Sequence, residues 1–227
     1  MKSIFLIPVF FFTFASLFAG TADTVNTSTN GNPDEPTFQD FLAQFPKATL
    51  PYTFNADDLQ AQMEKRATAP KAKRLAWEYY QFLPMLEESA RFSRMPVYPE
   101  PVAAFETKDY YAVLYNTGRG YTKNVKSYHI AVFDKAGNHL ATHFVAGVNA
   151  NTLTAATIDE TLHAKVQAFQ VNWAKDLQEN GIDGNTILSL TPAGKQIIEL
   201  TTGGMVEQVN WAYKPTSLTT SATADTK

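Results

Sequence analysis

The spacing of apolar residues changes period near residue 100. Upstream, Phe38, Phe41, Leu42 and Phe45 recur at i, i+3, i+4 and i+7, one stripe of a short helix. Thr37 and Asp40 supply a capping pair and Pro46 a stop. "LPYTF" reads as a short extended piece, after which Asn55 caps a helix in "ADDLQAQMEKR". "AKRLAWEYYQFLPMLEESARF" predicts a third helix that breaks or restarts at Pro84. "MPVYPEP", with three prolines, predicts an extended connector.

From Tyr110 the period becomes two. "YYAVLYNTG" is apolar on both faces, which predicts a central strand. "YHIAVFD" and "HLATHFVAGV" flank "DKAGN", where Asp134 and Gly137 fit a type I turn with a glycine bulge. "TILSLTPAGKQIIELT" predicts a second hairpin, with Pro192 and Gly194 in its turn. Residues 157–173 satisfy two periods. Ile158, Leu162, Val166, Phe169 and Trp173 form a helical stripe, which periodicity favours slightly. Leu162, Ala164, Val166 and Ala168 also alternate as a strand, with a bulge required at "AFQVNW".

The run "YYAVLYN…SYHIAVFDKAGNHLATHF…ATIDETLHAKV…W", over residues 100–200, resembles a diffuse group of uncharacterised secreted bacterial proteins with repeated antiparallel strands. The resemblance implies a strand for the ambiguous segment and no particular activity. The expected fold is α+β, with N-terminal helices packed on an antiparallel β-meander sheet built from hairpins. One domain is expected over residues 38–213, with a helical part at 38–94 and a β part at 98–213.

The ends differ from this middle. "MKSIFLIPVFFFTFASLFAGTADT" carries Lys2, an uncharged apolar run and small residues at Gly20 and Ala22, which reads as a signal peptide over 1–22. The run is short for a span, which needs about 20 apolar residues. Residues 23–37 and 214–227 are polar, and are expected to be a disordered leader and tail. The chain is therefore expected to be secreted or periplasmic. It has 227 residues, net charge −3 and no cysteine. The charge argues against a nucleic-acid partner. The missing cysteines exclude disulfides, thiolate nucleophiles and cysteine zinc sites.

Candidate chemistry centres on the first hairpin. Counting back from its turn sets Phe133 opposite His139, Ala131 opposite Ala141, and His129 opposite His143. Tyr128, Ile130 and Val132 against Leu140, Thr142 and Phe144 form the expected core face. Opposed imidazoles at about 4.5 Å between Cα atoms could share a zinc ion. A catalytic site needs a third ligand; none is close in sequence, and Asp109 is a candidate only if the preceding strand lies alongside. Asp176, Glu179, Asn180 and Asp183 form an acidic loop that fails the EF-hand pattern. "NTGRGY" reads as a tight loop around Arg119, and "KRATAPKAKR" as a solvated basic face. No nucleophile elbow or HExxH is present. These features predict an exported, non-enzymatic binding or structural module of the cell envelope, with a peptide or sugar as ligand. The alternative is a secreted metal-dependent enzyme using His129 and His143. No cofactor is expected beyond that zinc ion.

Overall fold

The computed structural model describes residues 35–64, 73–86, 98–118, 125–182, 185–202 and 204–210. The signal-peptide and tail assignments, Arg119, and residues 65–72 of the basic run lie outside them. Among the described residues no helix is long and apolar enough to cross a membrane.

The fold is α+β with an antiparallel sheet. Helix α1 (Phe38–Leu42) starts at Thr37, whose hydroxyl accepts from the Asp40 amide while the Asp40 carboxylate accepts from the Thr37 amide. This is the predicted capping box. Strand β1 (Tyr52–Phe54) and helix α2 (Ala56–Glu64) follow, also as predicted. The third segment breaks and restarts at Pro84 as expected: a 3-10 turn, Trp77–Phe82, ends at Leu83, and residues 84–86 are helical. Residues 73–76 before the 3-10 turn lack helical structure, and the Leu75 amide donates to the Pro99 carbonyl at 2.8 Å.

Eight strands then run as a meander in sequence order. They are β2 (Tyr98–Glu106), β3 (Tyr110–Gly118), β4 (Ser127–Asp134), β5 (His139–Val148), β6 (Thr152–Ile158), β7 (His163–Trp173), β8 (Ile187–Glu199) and β9 (Met205–Asn210). The ambiguous segment is β6 and β7 joined by a turn, so tertiary pairing overrides its helical period. The expected connector is in part β2, an edge position where Pro99 and Pro101 are tolerated. Its outer edge is covered by Pro46–Ala48: the Ala48 amide donates to Ala104 O and the Ala104 amide to Pro46 O.

The second predicted hairpin is not formed. Strand β8 runs straight through Pro192 and Gly194, which pair with Phe169 and Ala168, and Ala193 is left over as a bulge. The bulge accommodates the proline that a regular central ladder would reject. The actual β8–β9 turn is five residues later, closed by the Glu199 amide donating to Gly204 O.

Strand β3 is central, as its pattern requires. Ala112 and Leu114 enter one core, Val113 and Tyr115 another. Strand β4 does the same with Ile130 and Val132 against Ala131 and Phe133. The second core lies under α1 and the 3-10 turn, with Phe41, Phe45, Leu75 and Leu83 buried. The first core takes α2 through Leu59 and Met63, β1 through Tyr52 and Phe54, and residues from both halves of the sheet. The halves meet at a narrow corner, where β5 and β6 share only Gly147–Thr154 and Val148–Leu153. Beyond that corner β1 takes the vacant edge of β6, pairing Tyr52 with Ile158 and Phe54 with Ala156.

Candidate functional site

The first hairpin turns where the sequence says it should. The Gly137 amide donates to Asp134 O at 3.1 Å, and Asp134 Oδ1 accepts from the Ala136 and Asn138 amides. Gly137 has φ 90°, the left-handed region that favours glycine. Phe133 opposes His139 as expected. The register then departs from expectation. Leu140 is unpaired, and Val132 opposes Ala141 across the bulge, so every following residue of β5 shifts by one until Val145. His129 faces Phe144, and His143 faces Ile130.

Opposed residues share a face, so the two imidazoles project from opposite faces of the sheet. This corrects the expected His129–His143 pair: one extra residue inverts the parity on which it rested. The expected core face is half corrected. Tyr128, Ile130 and Val132 are buried, but Leu140 and Phe144 are among the exposed apolar side chains. The possible zinc ligand Asp109 is exposed beyond the far end of β3. His129 is level with Tyr115, six residues or roughly 20 Å along the strand. Among the described residues no group of three His, Cys, Asp or Glu is placed to hold a metal.

Each histidine is instead built into the packing. His129 Nδ1 donates to Ser127 O at 3.2 Å, and its ring stacks on Tyr115 at 5.7 Å. His139 Nε2 bonds Thr142 Oγ1 at 2.8 Å. His143 Nε2 donates to Leu200 O at 3.1 Å, tying β5 to the β8–β9 turn. His163 Nδ1 donates to Thr161 Oγ1 in the β6–β7 turn. Burial pulls the first three below the usual imidazole range, so they stay neutral. The acidic loop is also structural in its described part. Asp176 Oδ1 caps the helix Leu177–Asn180 by accepting from the Gln178 and Glu179 amides; Asp183 lies outside the described residues.

A concave surface lies elsewhere. A cleft of about 240 Å³ opens between the β1–α2 segment and strands β2 and β4. Tyr52, Phe54, Asp58, Gln62, Val102 and Tyr128 are among its walls. The rings form a cup, with Tyr52–Phe54 centroids 5.3 Å apart and Phe54–Tyr128 4.6 Å apart. Asp58 and Gln62 stand one turn apart on α2 and so share its cleft face. The Tyr128 hydroxyl donates to Gln62 Oε1 at 3.0 Å. Asn55 Nδ2 donates to Asp58 Oδ2 at 3.2 Å. Among the described residues, the Tyr52 hydroxyl, Gln62 Nε2 and Asp58 Oδ1 have no protein partner, and all three are open to solvent. Burial pushes the Tyr52 and Tyr128 phenols up, which keeps both protonated and able to donate.

A polar row leads away from this cleft across the sheet. Glu100, Asn116 and Tyr128 are opposed on β2, β3 and β4. Glu100 Oε2 accepts from Asn116 Nδ2 at 2.8 Å and Lys126 Nζ at 2.6 Å. Asn116 is 2% exposed, and its Oδ1 accepts no hydrogen bond. Such an orphan costs about 1–3 kcal/mol.

Sequence reasoning missed the cleft because its walls come from three separated segments. The Asp58–Gln62 spacing on a predicted helix was the only local signal. Comparison with known proteins brings no outside guide: the chain matches no family model, no curated protein and no solved structure.

Proposed function

We propose that the protein is an exported, non-enzymatic binding module of the bacterial envelope or its surroundings. It uses the cleft between β1–α2 and strands β2 and β4 to take a small polar molecule. The observation that carries this reading is the cleft itself, where the Tyr52 hydroxyl, Gln62 Nε2 and Asp58 Oδ1 face solvent without a protein partner beside three aromatic rings. Polar atoms that bond only water in a concave, partly apolar wall are available to a ligand. The histidines favour binding over chemistry, since all four are engaged in internal hydrogen bonds. Export rests on the N-terminal sequence.

The test has two parts. Cell fractionation with N-terminal sequencing should place the chain outside the cytoplasm, starting at Asp23. The mature protein is then screened by thermal shift against monosaccharides, disaccharides and di- and tripeptides. A hit should raise the melting temperature and be recovered unchanged after prolonged incubation. Retention in the cytoplasm, or recovery of a converted product, overturns the proposal.

A further inference from the structure

We infer that the cleft takes a single pyranose ring, so that the protein is a sugar-binding module; this rests on the binding reading above and names its ligand class. Three observations converge. The volume of about 240 Å³ suits one six-membered sugar ring. The aromatic cup of Tyr52, Phe54 and Tyr128 offers apolar surface for the C–H face of such a ring. The solvent-facing polar groups are of mixed kind. Gln62 Nε2 donates only, Asp58 Oδ1 accepts only, and the Tyr52 hydroxyl does either.

A sugar hydroxyl is itself both donor and acceptor, so adjacent hydroxyls match this set without leaving a group unpaired. An extended peptide has amide and carbonyl groups fixed by its backbone, and the cleft holds little more than one residue of it. An anion is disfavoured by Asp58, which lines the wall.

Saturation-transfer NMR on the full mature protein tests the inference. The probes are methyl α-glucoside, methyl α-galactoside, methyl α-mannoside and N-acetylglucosamine, with cyclohexanol and glycylglycine amide as comparisons. At least one sugar should receive magnetisation and cyclohexanol should not. Tyr52→Phe keeps the ring and removes only an unpartnered hydroxyl, so the fold is retained. It should weaken binding about threefold to tenfold, the effect of one hydrogen bond of about 0.5–1.5 kcal/mol. Gln62→Ala should weaken it similarly, and Leu188→Ala, at an exposed site on β8, should not. Sugars that bind equally well to Tyr52→Phe and Gln62→Ala overturn the inference. Transfer to the dipeptide alone, lost in Gln62→Ala, overturns the sugar assignment while the binding module stands. No transfer to any probe overturns both.

Discussion

Strands β3 and β4 are covered on both faces, and the two covers differ in kind. On one face α1 and the 3-10 turn lay down a dry aromatic layer. Phe41 lies 4.9 Å from Phe82 and 5.8 Å from Phe133, while Phe38 touches Tyr111 and Phe133. Even the imidazoles on this face are engaged: His129 stacks on Tyr115, His139 meets Phe133 edge-on, and both are hydrogen-bonded. On the other face β1 and α2 pack Leu59 and Met63 inward but leave a cleft with solvent-facing polar groups. Rings interlocked at every contact leave no room for a ligand. A helix that contributes Asp58 and Gln62 beside Leu59 keeps part of its cover open. The first cover is closely packed and the second leaves a cleft.

Substitutions can break that contrast. Phe41→Ala should have the largest effect, about 3–5 kcal/mol lost in urea unfolding, because the packed layer cannot collapse around the void. Leu59→Ala, beside the existing cleft, should sit nearer the lower end of the 2–5 kcal/mol range for leucine. Equal losses would mean that the covers are equally tight.

Gly137→Ala comes next. Its Cβ would lie 2.8 Å from Phe38 Cγ, and φ 90° is strained for any L side chain. A loss of about 1–3 kcal/mol is expected. Phe38→Ala should relieve the steric part of it, which a double-mutant cycle measures.

Acid should weaken the packing further, through His129 and His139 on the aromatic face and His143 on the other. Burial lowers the imidazole pKa of His129, His139 and His143 in the folded state, so the unfolded chain binds more protons. The stability is therefore complete above about pH 6.5 and is lost as pH falls below that through the folded-state values. Other titrating groups nearby act in a lower range: the carboxylates of Asp134 and Asp159, held low by hydrogen bonds in the turns, lose their contribution only below about pH 4. His129→Phe should flatten the upper part of a plot of urea midpoint against pH; an unchanged slope removes that residue from the explanation.

Tyr52→Phe should have the smallest effect on stability, within about 0.5 kcal/mol, while weakening ligand binding. A large loss of stability would show that the hydroxyl serves the fold and not the cleft.

Much of the architecture was legible in advance because its signals are local. The capping box at Thr37 and Asp40, the Asp134–Gly137 turn and the two-faced apolar pattern of β3 each depend on a few neighbouring residues. The site was not legible. The histidine pair failed on one bulged residue, Leu140, since strand parity carries an insertion error to every later position until a second bulge. The "PAG" turn failed because β7 offered β8 a continuous partner, and a bulge at Ala193 absorbed the proline.

By itself, the sequence determined where helices give way to strands, which strand lies in the middle, and that no disulfide could hold the chain. Only the tertiary structure decided which side chains share a face and which segments meet around a cavity. Periodicity and turn chemistry act over a few residues. Register across bulges depends on pairing with a neighbouring strand, and the approach of β1 and α2 to β2 and β4 on contacts between residues about 40 to 80 apart in the chain, whose free energies no single segment contains.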